Sequence, residues 1–177
     1  MKSADAQLVA SLIRDVPDFP TPGILFKDIT PMLRDAKAFG TAVQAFAECS
    51  TTYDLVAGVE ARGFIFAAAV AQLTGKGFVP IRKSGKLPAK AHSESYALEY
   101  GANTIQIHED AIQTGERVLL IDDVLATGGT LGAAAKLIER CGGTVDSVAV
   151  LMEISGLGGR QNFADIFPAL DIHILLN

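Results

Sequence analysis

The chain has 177 residues, of which 49% are hydrophobic and 20% charged, and its formal net charge is −5 at pH 7. This composition predicts one well-folded domain and excludes a disordered chain or a broad basic surface for nucleic acid. Because no apolar run is long enough to cross a membrane and the first residues lack the apolar core of a signal peptide, we expect a cytoplasmic protein without membrane partners.

Apolar spacing then divides the chain into helices and strands. Leu8, Leu12 and Ile13 mark an N-terminal helix that the proline-rich segment 17–22 ends, and a second helix is predicted over Phe39–Cys49. The predicted strands are Leu55–Val59, Phe78–Ile81, Arg117–Ile121, Ser147–Leu151 and a closing strand, Ile172–Leu176, at an edge or interface; the predicted helices between them are Phe64–Leu73 and Leu131–Arg140. This alternation predicts an α/β fold with a mostly parallel central sheet flanked by helices. Ligands are then expected at the carboxyl ends of the strands.

A hairpin is predicted between the second and third of these strands. Ser95–Leu98 and Thr104–Ile107 flank a short polar turn and can pair as antiparallel strands. The polar approach, Lys83–Ser95, has no clear periodicity, and an irregular stretch of that length in a compact domain is usually functional or disordered. We therefore expect a flexible flap over 83–107, with a solvated surface excursion as the alternative.

The run from Val118 to Leu131 carries the strongest functional signal. Four apolar residues without alternation predict a strand buried on both faces, which Asp122 and Asp123 end. The following Thr-Gly-Gly-Thr sequence predicts a tight turn with free amides, and Thr130 is the expected N-cap of the next helix. Such a turn favours an anion, and hydroxyls or a cation would offset the repulsion between the two acids. The run lacks the lysine of a Walker A loop and the glycine spacing of a dinucleotide loop, so it predicts a phosphate and a ribose diol.

This run resembles the phosphoribosyl pyrophosphate (PRPP) signature of the type I phosphoribosyltransferases. Other motifs resemble segments of the adenine-specific members of that family, and they are Phe19–Pro31, Glu60–Phe64, Ile81–Lys83 with Gly85–Pro88, and Leu98–Gly101. The resemblance implies a single domain of that fold over 1–177, with an N-terminal helix and base-binding hood over 1–34 and the flap over 83–107. The signature identifies the sugar substrate, and the N-terminal motif narrows the base to adenine.

The resemblance also implies which residues bind the sugar, its phosphate and the leaving group. Asp122 and Asp123 would accept hydrogen bonds from the ribose hydroxyls. The 5-phosphate would be held by Ala126, Thr127, Gly128, Gly129 and Thr130, and the pyrophosphate by Glu60, Ala61, Arg62, Arg82, Lys83 and Lys86. A non-proline cis peptide is implied near Glu60–Ala61. For Arg82, Lys83 and especially Lys86, a solvated basic loop is the alternative.

In the implied base site, Phe26 stacks on adenine and Leu157 closes the other face of the ring. The backbone of Leu25 and Lys27 would read the edge of the base, because a carbonyl accepts from the 6-amino group and an amide donates to N1. A 6-oxo purine presents the opposite pattern and would leave buried groups unpaired. Packing into the core is the alternative for Phe26 and Leu157.

Two flap residues and one arginine are implied as catalytic. Glu99 would engage the purine imidazole through a proton or a water, and Tyr100 would shield the reacting centre. Arg62 would stabilise the charge of the leaving group. Surface hairpins often carry a carboxylate beside a phenol, so an ordinary turn is the alternative for Glu99 and Tyr100.

The implied reaction is a step of purine salvage, in which the phosphoribosyl group moves from PRPP to N9 of adenine and gives AMP and pyrophosphate. The resemblance also implies a homodimer and a Mg²⁺ cofactor held mainly by substrate oxygens and water, without direct protein ligands. Three alternatives stay open: transfer to another purine base, a non-catalytic PRPP-sensing regulator, and a PRPP-making kinase. A regulator would carry an added DNA-binding domain, and the kinase would need a nucleotide site that no segment suggests.

Overall fold

The computed structural model describes residues 3–97 and 102–176. In chain order its elements are α1 (Ser3–Ser11), β1 (Arg14–Pro17), β2 (Leu25–Asp28), α2 (Thr30–Arg34), α3 (Ala36–Ala47), β3 (Leu55–Val59), α4 (Arg62–Thr74), β4 (Gly77–Lys83), β5 (Ala91–Ala97), β6 (Ala102–His108), β7 (Arg117–Leu125), α5 (Gly129–Arg140), β8 (Thr144–Glu153), α6 (Gly159–Ile166) and β9 (Ile172–Leu176). None of these helices is long and apolar enough to span a lipid bilayer.

A seven-stranded sheet forms the centre of the fold, in the order β5-β6-β4-β3-β7-β8-β9. The five strands from β4 to β9 in this order are parallel, whereas β5 and β6 join antiparallel at one edge. Helices cover both faces, with Phe46 and Phe66 in the core on one side and Leu137 and Phe163 on the other. The predicted α/β fold with a mostly parallel sheet is confirmed, and β9 is its edge strand.

The strand that carries the acidic pair is longer than predicted. β7 does not end at Ile121 but continues to Leu125, because β8 is also long and still pairs with it at Leu125↔Glu153. The two acids therefore belong to the strand. The next helix begins at Gly129 with Gly128 at the N-cap position, where φ is +83°, so the expected N-cap at Thr130 is wrong. Glycine adopts this left-handed backbone without a Cβ clash.

The hairpin is also longer than predicted. β5 and β6 pair from Ala91↔His108 to Ala97↔Ala102, so the expectation of irregular backbone over Lys83–Ser95 is wrong for its second half. β6 also pairs with β4, at Arg82↔Gln106. This pairing with a distant strand stabilises the longer hairpin, and the local sequence pattern does not show it. Flexibility of this segment stays a prediction, and residues 98–101 lie outside the described part of the chain.

A second, two-stranded sheet lies in the predicted hood. β1 pairs antiparallel with β2, and two ion pairs join residues that lie directly opposite each other. Arg14 Nη2 lies 2.5 Å from Asp28 Oδ2, and Lys27 Nζ lies 2.6 Å from Asp15 Oδ1. Opposite charges at facing positions stabilise a strand pair. These four-residue strands were not predicted, because they are too short and too exposed to show alternation.

Candidate active site

A cavity of about 760 Å³ opens at the carboxyl ends of β3 and β7. Predicted site residues that line it are Glu60, Ala61, Arg62, Asp122, Asp123, Ala126, Thr127, Gly128, Thr130 and Leu157. They come from three segments of the chain, which the parallel sheet brings to one edge. Gly129 lines an adjoining cavity of about 300 Å³ instead, together with Thr127 and Gly128.

The two acids are buried at the floor of this cavity, with 9% of Asp122 and 4% of Asp123 exposed. Asp122 Oδ1 accepts a hydrogen bond from the Asp123 amide at 2.9 Å. Burial and then the neighbouring Asp123 charge raise the pKa of Asp122 well above its usual range, and burial raises the pKa of Asp123 against the opposing effect of Arg62. Hydroxyl donors from a ligand would favour the ionised pair, which fits a ribose diol.

Arg62 joins three parts of the site. It is the first residue of α4, two residues before the predicted start of that helix. Its Nε lies 2.8 Å from Asp123 Oδ2, its Nη1 donates to the Lys27 carbonyl at 2.9 Å, and its guanidinium carbon lies 4.9 Å from the centroid of the Phe26 ring. The Nε–H of Arg62 is not aimed at Asp123 Oδ2, so within the described residues this carboxylate oxygen has no hydrogen-bond donor. That oxygen can accept one from a ligand.

Close approach of α4 to β7 makes this arrangement possible. A Cβ at Gly63 would lie 2.9 Å from both the Asp122 carboxylate and the Ile121 carbonyl oxygen, which is too close for any larger residue. The Glu60–Ala61 peptide just before the helix is cis, as the resemblance implied.

Glu60 organises the basic residues at the end of β4. Its Oε2 accepts from Arg82 Nε at 3.2 Å and from the Lys83 amide at 3.0 Å. Burial disfavours the charged carboxylate, but the Lys83 amide and Arg82 outweigh it and lower the pKa of Glu60. Arg82 also donates to the Lys86 carbonyl at 2.9 Å. Glu60 thus holds the Arg82 guanidinium and the backbone of Lys83 in place, whereas Arg82, Lys83 and Lys86 lie outside the cavity lining.

The hood contributes apolar groups to the cavity, but not the ones that were predicted. Pro20 and Ile24 line it beside Leu157, whereas Leu25, Phe26 and Lys27 do not. Leu157 is 37% exposed, so packing into the core does not explain it. The Phe26 ring instead meets Arg62 and the Phe19 ring, whose centroid lies 5.1 Å away in an edge-to-face contact.

Sequence reasoning also missed cavity residues outside the hood. Tyr96, Val124, Leu125 and Leu131 line the cavity, and Tyr96 lines the adjoining one as well. Tyr96 is half-buried and packs on the core, but the mostly polar sequence of β5 gave no clear local signal for it. The predicted catalytic pair Glu99 and Tyr100 lies outside the described residues.

Comparison with known proteins identifies the family. Residues 31–165 match the model of the phosphoribosyl transferase domain. An adenine phosphoribosyltransferase from Thermobifida fusca is 54% identical over 168 residues, which cover 94% of this chain and 96% of the relative. The chain belongs to the adenine phosphoribosyltransferase family.

Solved adenine phosphoribosyltransferases share the whole architecture. The enzyme from Rhodothermus marinus is 46% identical and superposes with a TM-score of 0.91, covering 99% of both chains. The enzyme from Saccharomyces cerevisiae is 34% identical with a TM-score of 0.90, covering 99% of this chain and 100% of its own, and was crystallised with an imino-altritol bisphosphate and adenine. The type I phosphoribosyltransferase fold is therefore confirmed.

Proposed function

We infer that the protein transfers the 5-phosphoribosyl group of PRPP to N9 of adenine, releasing AMP and pyrophosphate, as a step of purine salvage. One observation carries the assignment: a single cavity joins the hood, the buried acidic pair and the glycine loop after β7. Relatives more than 50% identical are named for this activity, and the related yeast enzyme was solved with adenine.

In the proposed reaction, the purine nitrogen displaces pyrophosphate at C1 of the ribose, and no protein nucleophile is needed. Asp122 and Asp123 orient the sugar through its hydroxyls. The phosphate loop, defined as Ala126–Thr130, fixes the other end of the sugar, so that C1 lies between base and leaving group.

The leaving pyrophosphate gains negative charge as its bond to C1 breaks. Arg82, Lys83 and Lys86 supply positive charge near that position, and Glu60 orients the Arg82 guanidinium and holds the backbone of Lys83. Arg62 adds a fourth positive group at the cavity wall. Stabilising charge that develops in the transition state is an efficient way to accelerate such a reaction. Within the flap over 83–107, we propose that Glu99 engages the purine imidazole and that Tyr100 shields the reacting centre from water.

For the base, we propose that the hood over 1–34 reads adenine through the backbone of Leu25 and Lys27. The Lys27 carbonyl already accepts from Arg62, but a carbonyl oxygen has a second lone pair for the 6-amino group. Ile24 and Leu157 supply apolar contact with the ring. Phe26 lies next to this position, and we propose that it stacks on the base.

Mg²⁺ is the proposed cofactor. No three His, Cys, Asp or Glu side chains within 3–97 and 102–176 cluster closely enough to hold a metal. The hard oxygen of Asp123 that lacks a donor suits a hydroxyl or a water bound to such an ion. When bound, Mg²⁺ would neutralise charge on the pyrophosphate.

The decisive assay incubates the protein with PRPP, adenine and MgCl₂ and follows AMP and pyrophosphate. We expect turnover with adenine, little with hypoxanthine, guanine or xanthine, and loss of turnover with excess EDTA that added Mg²⁺ restores. Turnover with a 6-oxo purine in place of adenine would move the assignment to another base. Tight PRPP binding without turnover of any base would favour a regulator.

We further propose a homodimer in the cytoplasm. Both cysteines are free, which suits a reducing compartment. Exposed apolar residues on α4, Ile65 at 39% and Leu73 at 50%, offer surface for a second copy. Sedimentation equilibrium tests the dimer, and a single species of 18.6 kDa would exclude it.

A further inference from the structure

The phosphate loop is supported from behind by the first turn of α6. A Cβ at Gly159 would overlap the Ala126 carbonyl oxygen, and a Cβ at Gly128 would lie 2.5 Å from the Gly159 carbonyl oxygen. The two backbones are therefore in direct contact. Phe163 is buried and Arg160 Nε lies 2.7 Å from Glu153 Oε2, so α6 is fixed to the core and to the end of β8.

One side chain of this turn is bonded to the loop. Asn162 Nδ2 donates to the Thr127 carbonyl oxygen at 2.9 Å. Only the nitrogen of the amide can donate to a carbonyl, so this bond also defines how the Asn162 amide is turned. Asn162 is exposed and has no place in the core, so packing does not account for the contact.

This bond fixes the direction of a neighbouring donor. The Thr127 carbonyl and the Gly128 N–H belong to one trans peptide unit and point in opposite directions. Asn162 holds the carbonyl towards α6, so the Gly128 N–H points away from α6. Within the described residues, this N–H has no hydrogen-bond acceptor. It is left free for an anion.

Without such a constraint, the loop has freedom to turn the wrong way. Gly128 and Gly129 are adjacent, and glycine tolerates several backbone conformations, so the peptide before Gly128 can rotate at low cost. A rotated peptide would aim a carbonyl oxygen at the phosphate, which repels it, and would remove a donor.

We propose that Asn162 is a positioning residue for the 5-phosphate of the sugar substrate, acting through the Thr127–Gly128 peptide. The proposal rests on the proposed function, since it takes the phosphate loop as the 5-phosphate site. Asn162 lies outside the lining of the cavity that holds the acidic pair, and we assign its effect to the loop peptide that it bonds. It keeps the loop amides turned towards the phosphate, and its loss weakens binding of the phosphorylated sugar without affecting the base.

The test compares Asn162→Ala and Asn162→Asp with Gln161→Ala. Gln161 is the matched control because it is exposed on the same turn but donates to Asp165 within α6. Titration with ribose 5-phosphate in a calorimeter gives the Kd, steady-state assays give the two KM values, and thermal melting reports folding. For Asn162→Ala, we expect the Kd and the KM for PRPP to rise about three- to tenfold, the range for loss of one hydrogen bond.

Asn162→Asp keeps the shape but loses the donor and adds repulsion, so its rise in Kd should be larger. The KM for adenine and the melting temperature should stay near wild type, and Gln161→Ala should match wild type throughout. An unchanged Kd in both Asn162 variants would overturn the proposal, as would an equal rise in both KM values. The calorimetric titration needs no turnover, so it decides the role of Asn162 even if the wild type fails to convert adenine.

Discussion

The sugar-phosphate side and the hood are built in different ways. Asp122 and Asp123 lie on a central strand and are buried, so the core of the sheet determines their positions. The hood is a separate two-stranded sheet whose ion pairs are exposed, with 64% of the Arg14 and 54% of the Asp15 side chain accessible. Exposed pairs contribute about 0–1 kcal/mol each. In the proposed site, the sugar would therefore be bound by residues fixed in the central sheet, and the base by a part of the chain that is held in place through a few contacts.

The largest effect is expected at the sugar-phosphate side. Asp123→Asn removes a charge-assisted acceptor for the ribose and the partner of Arg62, so we expect kcat/KM for PRPP to fall about 100-fold or more. Asp54→Asn is the control, because Asp54 pairs with Arg117 at the opposite end of β7. Similar losses in both variants would show that the fold, and not the site, was damaged.

Arg62 connects the two regions, so its replacement tests whether they are independent. Lysine keeps the charge of Arg62 but cannot contact both Asp123 and the Lys27 carbonyl, and we expect Arg62→Lys to lower kcat/KM for both substrates about 10- to 50-fold. Arg117→Lys provides the remote control for an arginine held by a carboxylate. A loss confined to PRPP would mean that the hood does not depend on Arg62.

Rigid burial of the acidic pair should appear in the pH dependence of stability. The pKa of Asp122 is raised in the folded state, so the folded protein keeps this carboxyl protonated at pH values above its ordinary pKa of 3.8. The free energy of unfolding therefore falls as the pH rises from that value through the raised pKa. Asp122→Asn removes this loss. We expect the variant to have a higher Tm than wild type at pH 7.5, by about 2–4 °C for each kcal/mol gained in the free energy of unfolding. This difference in Tm should shrink towards pH 4. A constant difference between the two melting curves would contradict this account.

The smallest effect is expected in the hood. Asp15→Asn breaks the pair with Lys27, and we expect the KM for adenine to rise about two- to threefold while the KM for PRPP stays unchanged. The double variant Asp15→Lys with Lys27→Asp restores the ion pair with reversed charges. It should recover the KM for adenine, because the proposed contacts with the base are made by backbone atoms and not by the exchanged side chains. A larger rise in the KM for PRPP than for adenine would contradict the division into two regions.

Predictions from sequence were most accurate where the site is continuous in the chain. The residues from Val118 to Thr130 form one run, so both the strand and the loop after it were visible, although the strand proved longer and the helix began two residues earlier. Ile24 and Tyr96 were missed, because each reaches the cavity from a segment whose sequence has little periodic signal. The predicted base readers Leu25, Phe26 and Lys27 lie next to the cavity, not in its lining.

The alternation of strands and helices, the acidic pair and the glycine loop could be predicted from sequence, because these features depend on residues close together in the chain. The contacts that those residues make depend on the folded arrangement. Arg62 reaches the Lys27 carbonyl across 35 positions, and Asn162 reaches the Thr127 carbonyl across the same separation. Such contacts depend on how the sheet and its helices pack, because a hydrogen bond needs its two atoms within about 3 Å, and no local pattern specifies that distance.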